Sequence, residues 1–168
     1  NGFAYDSDEG RGAAAAITAL MTGRGYLQSA KVAAAIGPYD RYAENREPHN
    51  GVMRMHRDAS YDVDATGITG ELLEAAQRAW DEAVELGEEH GYRNAQATVL
   101  APTGTISFLM DCDTTGIEPD FSLVKYKELV GGGTMTIANR TVPMALRTLG
   151  YSEEQVSQIE AYITEHGT

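Results

Sequence analysis

A β-forming run stands almost alone in a chain otherwise built for helices. Residues 95–100 end in Thr98, Val99 and Leu100, types that suit a strand, and Pro102 stops the run. Residues 121–130 alternate enough to be a second strand, with Lys125 and Lys127 facing solvent or a ligand. Unpaired backbone groups are costly to bury, so one or two strands must pair with something. The expectation is that part of the sheet lies outside this chain. The absence of an initiating Met points the same way, to a chain that begins mid-protein.

Helix signals fill most of the rest. Asp6, Ser7, Asp8 and Glu9 read as a helix start, with acids at the positive end of the dipole. Residues 13–22 are strongly helix-forming, and Gly23 is a natural stop. A second helix is expected over 26–36, closed by Gly37 and Pro38. A third is expected over 45–60, with Pro48 near its first turn and Val52, Met55 and Ala59 on one face. The clearest is 71–90, where Leu72, Leu73, Ala76, Ala79, Trp80, Ala83, Val84 and Gly87 recur at three and four. Gly131, Gly132 and Gly133 make a hinge or tight turn, and 106–110 a helical turn or an extended run. Two last helices are expected over 142–149 and 153–166, with Ser152 capping and Gln155 three residues on. Trp80 reads as a core residue, and Met21, Met110, Met135 and Met144 as core filler. Tyr5, Tyr26, Tyr39, Tyr42, Tyr61 and Tyr92 read as packing residues with some hydroxyls at the rim. No linker is rich enough to split domains. The reading is an α/β chain, mostly helical with one to three strands, with residues 1–168 in one domain.

Charge limits the partners. Twenty-five acids against 13 bases give a net charge of −12, which repels phosphate backbones and anionic lipid. Binding to a nucleic-acid polymer or a membrane surface is not expected. One phosphate site built from backbone amides needs no net positive charge. The longest apolar run, 13–21, is too short to span a bilayer. The single cysteine, Cys112, cannot form an internal disulfide, which suits a reducing cytoplasm. It has no adjacent His or Lys to lower its pKa, so it is not read as a nucleophile.

The most informative stretch is Pro102, Thr103, Gly104, Thr105, Ile106 and Ser107. Gly104 lets a ligand approach the backbone, and the amides of Gly104, Thr105, Ile106 and Ser107 can point at an anion. The hydroxyls of Thr103, Thr105 and Ser107 can add hydrogen bonds. The alternative is a strand-to-helix turn in which Thr103 or Thr105 only caps the helix. A Walker loop is not supported, because no Gly-Lys-Ser/Thr ending follows. Next comes 111–120, with Asp111, Asp113, Glu118 and Asp120. Four carboxylates can hold a hard cation, yet the spacing does not match an EF-hand, and capping or turn roles suit them better. Glu118, held extended by Pro119, is either aimed into a cleft or a solvated acid. His49, His56, His90 and His166 lack the spacing of a helical metal site.

The run 93–107, with its Ala101-Pro102-Thr103-Gly104-Thr105 centre, closely resembles a segment of the class II, adenosylcobalamin-dependent ribonucleotide reductases. So do 110–120 with Gly116-Ile117-Glu118-Pro119, Leu123-Val124-Lys125-Tyr126-Lys127 and Gly131-Gly132-Gly133. The stretches 4–8 and 15–23, Thr141-Val142-Pro143 and Leu149-Gly150-Tyr151 extend the resemblance over nearly the whole chain. It implies a slice of a ten-stranded α/β barrel. In that family a finger-loop cysteine becomes a thiyl radical after cobalamin Co–C homolysis and takes the ribose 3′ hydrogen. A nearby Glu assists, and a cysteine pair supplies electrons. The resemblance implies that Thr103, Gly104, Thr105, Ile106 and Ser107 hold the substrate phosphates, with Pro102 fixing the turn. On this ground the phosphate reading is preferred to the cap. The stretch 116–119 is implied to support the site without a chemical step.

The departures are as informative. The family's radical cysteine lies in an Asn-Pro-Cys segment with the Glu two residues on, and no such segment occurs here. The mechanism needs three thiols, and this chain has Cys112 alone. The expectation is a fragment with no catalytic residue and no metal ligand of its own. It would bind a ribonucleotide, depend on the rest of the reductase, and self-associate through apolar faces that the missing strands once covered. The adenosylcobalamin would belong to the full-length parent. The competing reading is a non-enzymatic helical nucleotide-phosphate-binding or interaction module.

Overall fold

A computed structural model describes residues 2–64, 66–68, 70–120, 122–128 and 130–167. The side chains of 127 and 135–137 lie outside the description, and with them the expectations for Lys127 and Met135. The described chain forms two units, Phe3–Val99 and Leu100–Thr168 with Asn1–Gly2.

The first unit is built on one long helix where two were expected. α1 runs unbroken over Asp8–Ile36. Ser7 caps it by accepting the Gly10 amide at 3.0 Å, and Gly37, at φ +90°, closes it. Gly23 does not stop the helix, because its missing side chain serves packing. A Cβ there would lie 3.0 Å from Cδ1 of Trp80, so glycine lets the indole sit against the α1 backbone. The indole Nε1 donates to the Ala19 carbonyl at 3.0 Å. A mid-helix glycine costs about 1 kcal/mol against alanine, which this burial offsets.

α2 spans Tyr42–Tyr61, and Pro48 lies inside it rather than in its first turn. Proline brings no amide to the Glu44 carbonyl, but both residues are exposed and water can take its place. The expected face is also wrong. Val52, Met55 and Ala59 are exposed, while Tyr42, Asn50, Met53 and Ser60 are buried. The buried stripe runs through polar residues that apolar periodicity overlooks. Asn50 is tolerated inside because its Oδ1 accepts the Tyr42 hydroxyl at 2.8 Å.

α3, Gly70–His90, follows its periodicity closely, burying Ala76, Ala79, Trp80, Ala83, Val84 and Gly87. The core joins Tyr26, Leu27, Ala30, Tyr42, Met53 and Tyr92 to this face. Tyr92 is fully buried and donates to the Ala83 carbonyl at 2.9 Å. Burial pushes its phenol far above the ordinary tyrosine range. His49 stacks on the Tyr92 ring at 4.8 Å, its Nδ1 lies 3.1 Å from the Tyr39 hydroxyl, and its buried Nε2 has no partner among the described residues. Desolvation lowers the His49 pKa. Of the six tyrosines singled out, Tyr5 and Tyr61 are exposed.

Residues 95–100 do not form the expected strand. β-propensity acts only where another strand supplies a ladder, and among the described residues none lies beside this run. Side chains of α1 take over part of the hydrogen bonding. The Ala97 amide donates to the Tyr26 hydroxyl at 3.3 Å, and the Thr22 and Thr98 hydroxyls lie 3.2 Å apart.

The second unit holds the helical turn α4 (Ile106–Leu109), strands β1 (Val124–Glu128) and β2 (Thr134–Ala138), and helices α5 (Thr141–Thr148) and α6 (Glu153–His166). The strands pair antiparallel, Val124 opposite Ala138 and Glu128 opposite Thr134. β2 was not anticipated, and it supplies the partner that β1 needs. Gly131, Gly132 and Gly133 turn the hairpin at φ +103°, +97° and +96°, backbone that side chains rarely adopt. Ser152 and Gln155 form the expected capping box of α6, which buries Val156 and Ile163. Met21, Met110 and Met144 are exposed rather than core filler. The fold class is therefore mostly helical with one hairpin, and no barrel closes among the described residues. No described helix is long and apolar enough to cross a membrane.

Candidate functional site

Pro102 is followed by Thr103 in the left-handed region, at φ +50°. A β-branched residue there is strained by about 1–3 kcal/mol and must be held from outside. Two bonds hold it. Its carbonyl accepts the Ser107 amide at 3.1 Å, and its Oγ1 accepts the Gly116 amide at 2.6 Å. The bend leaves the amides of Gly104, Thr105 and Ile106 without partners among the described residues. All three residues are exposed, and a Cβ on Gly104 would meet nothing within 4 Å. These are the orphan donors of a helix start, a type of group that an anion can satisfy.

Ser107 does not join them. Its amide is engaged by Thr103, its side chain is buried, and its hydroxyl lies 3.4 Å from the Gly104 carbonyl. Five of the six expected residues thus present atoms at the bend, and Ser107 closes it from behind.

The acidic loop packs on this turn. The Cys112 amide donates to the Ser107 carbonyl at 2.9 Å, and Cys112 itself is exposed. The carboxylates face cations of their own chain. Arg140 reaches Asp111 Oδ2 at 2.8 Å, the Asp111 carbonyl at 2.7 Å and Asp113 Oδ1 at 3.1 Å. Its hydrogen bonds to Asp111 and then Asp113 hold its pKa above the ordinary value. Lys125 Nζ pairs with Asp120 Oδ1 at 3.0 Å and donates to the Asp113 carbonyl. Only 12% of the Lys125 side chain and 7% of that of Asp120 is exposed, so of the two expectations for Lys125, solvent or a ligand, it does not face solvent. Asn139 donates to the other Asp120 oxygen at 2.9 Å. Glu118 is a solvated acid. Among the described residues no three or more of His, Cys, Asp and Glu gather as a metal would require.

Sequence reasoning did not single out Arg140 or Asn139, and it did not foresee the pairing of Lys125 with Asp120. A charge count was the available signal, since several acids in one irregular loop need cations nearby. The arrangement as a whole can bind an anion at three amides and the hydroxyls of Thr103 and Thr105.

Residues 1–167 match the family described as the ribonucleotide reductase barrel domain. A vitamin B12-dependent ribonucleotide reductase of Streptomyces avermitilis is 56% identical over 167 residues, covering 99% of this chain and 17% of that protein. Its namesake in Agrobacterium fabrum is 52% identical over 182 aligned residues, covering 99% of this chain and 14% of that protein. A vitamin B12-dependent ribonucleoside-diphosphate reductase of Thermoplasma acidophilum is 38% identical over 68 residues, covering 40% of this chain and 9% of that protein. The chain therefore spans about a sixth of the length of the Streptomyces relative. With residues 1–167 matched by the family model and relatives above 50% identity along 99% of its length, this chain belongs to the ribonucleotide reductase barrel-domain family.

Proposed function

We propose that this chain is part of a cobalamin-dependent ribonucleotide reductase, cytoplasmic and homo-oligomeric, that makes deoxyribonucleotides by thiyl-radical chemistry. Its two units are parts of one catalytic barrel domain. Its contribution is the turn that holds the substrate phosphates, with Pro102 and Thr103 setting the bend. The amides of Gly104, Thr105 and Ile106 donate to phosphate oxygens, and Ser107 locks the turn from behind. The observation that carries this reading is the set of three amides, in exposed residues and without partners among the described residues, that begins at a glycine with open space over it. The relatives' names support the parent activity.

Adenosylcobalamin would supply the radical in the whole enzyme. One described cleft, on the helical unit, does not fit it. The cavity lined by Leu27, Lys31, Glu82, Glu85, Leu86 and Glu89 holds about 260 Å³. That is below the roughly 300–1,000 Å³ of ordinary ligand pockets, and the cavity is rimmed by acids. No step on this chain is routed through cobalamin. The radical cysteine belongs to a segment this sequence lacks.

Gly104→Val in the full-length parent tests the turn. Gly104 has neither a left-handed φ nor a neighbour to clash with, so stability should hold. The new side chain would shield the amides, and losing one charge-assisted bond predicts a rise in nucleotide KM of about tenfold or more. An unchanged KM would sink the reading. The isolated chain, given adenosylcobalamin and a dithiol, should form no deoxynucleotide.

A further inference from the structure

The strained turn is held by the loop behind it, and that loop has no regular structure to hold itself. The Gly116 amide grips Thr103 at one end of the turn, and the Cys112 amide grips the Ser107 carbonyl at the other. At these two grips the loop makes left-handed bends, at Asp111, φ +55°, just before Cys112, and at Gly116 itself, φ +59°. Cations from the hairpin fix its course. Lys125, on β1, clamps the Asp113 carbonyl and the Asp120 carboxylate, one on each side of Gly116. Arg140, just after β2, clamps Asp111 and Asp113, one on each side of Cys112.

We propose that Lys125, assisted by Arg140, is a positioning residue for the phosphate turn, acting through loop 111–120 and not on the nucleotide. This rests on the phosphate reading above. Lys125 and Asp120 are shielded from solvent, and Asn139 fixes the second Asp120 oxygen, so the clamp has one geometry. Anion affinity depends on amides fixed before the ligand arrives. Each amide left to wander forfeits part of a hydrogen bond. The hairpin thus sets the shape of a site to which it contributes no ligand.

The test uses the full-length, cobalamin-loaded parent carrying Lys125→Met, Lys125→Arg, Arg140→Gln or Gly104→Val. KM and kcat are measured with CDP and CTP as substrates, and binding of unphosphorylated cytidine is measured alongside. Lys125→Met should raise nucleotide KM about tenfold with kcat within about threefold, and leave cytidine affinity unchanged. Lys125→Arg should restore most of the loss. Arg140→Gln should raise KM about threefold, since its side chain is 59% exposed. If Gly104→Val raises KM and neither Lys125→Met nor Arg140→Gln does, the positioning role is overturned and the phosphate reading stands. If Gly104→Val also leaves KM unchanged, both fall. Parallel loss of cytidine and nucleotide affinity would mark a general structural role and overturn the proposal. Should Lys125→Met fail to fold, Arg140→Gln decides alone.

Discussion

The two units solve the same problem with different forces. Phe3–Val99 is held by apolar and aromatic burial, with Trp80, Tyr92, Tyr26 and Met53 in one cluster. Leu100–Thr168 buries few apolar side chains, chiefly Val124, Val156 and Ile163, and leaves Leu109, Met110 and Ile117 exposed. Its loop is ordered by ion pairs and side-chain bonds around Asp111, Asp113 and Asp120. Burial is non-directional and tolerant, whereas a polar network fixes atoms at set distances. The 102–107 bend, proposed above as the phosphate turn, lies where the second kind of force dominates.

The contrast can be broken by substitution, read by hydrogen exchange resolved to each unit. Trp80→Ala should be the most damaging, at about 3–5 kcal/mol, with faster exchange in α1 and α3. Exchange spread evenly over both units would contradict a separate helical core. Gly87→Ala should follow at about 1–3 kcal/mol, because a Cβ there overlaps the buried ring of Tyr92. Ser152→Ala, in the other unit, should cost about 1 kcal/mol through loss of the α6 cap and leave α1 to α3 untouched.

A pH titration sharpens the same comparison. Burial holds His49 neutral in the fold, below its ordinary pKa of 6.5. The unfolded chain then binds the extra proton first, so stability is full above about pH 6.5 and falls as pH drops toward the folded value. Tyr39, Tyr42 and Tyr92 face the ring, with Glu88, Arg46 and Arg54 around them. The helical unit should loosen on acidification, and His49→Phe should flatten that part of the slope. An unchanged slope would remove His49 from the account.

The sequence was most readable where one face of a helix meets one core. The α3 pattern survives intact because every third or fourth side chain packs on the same neighbours. Gly23 misled because a packing requirement overrode its helix-stopping tendency. Residues 95–100 misled because strand propensity says nothing about whether a partner is present. Glycine and hydroxyl chemistry singled out the bend 102–107 but left a plain cap open, and only the resemblance favoured a phosphate site. The Thr103–Gly116 bond was not, since it joins residues 13 apart through an irregular loop. Alternation turned Lys125 toward solvent or a ligand, but it could not show that a buried carboxylate, Asp120, draws it in.

Trp80 is the chain's single tryptophan, and it is wedged against the backbone of α1 at Gly23. Its ultraviolet emission is therefore an intrinsic optical gauge of the α1–α3 seam, shifting red when that seam admits water.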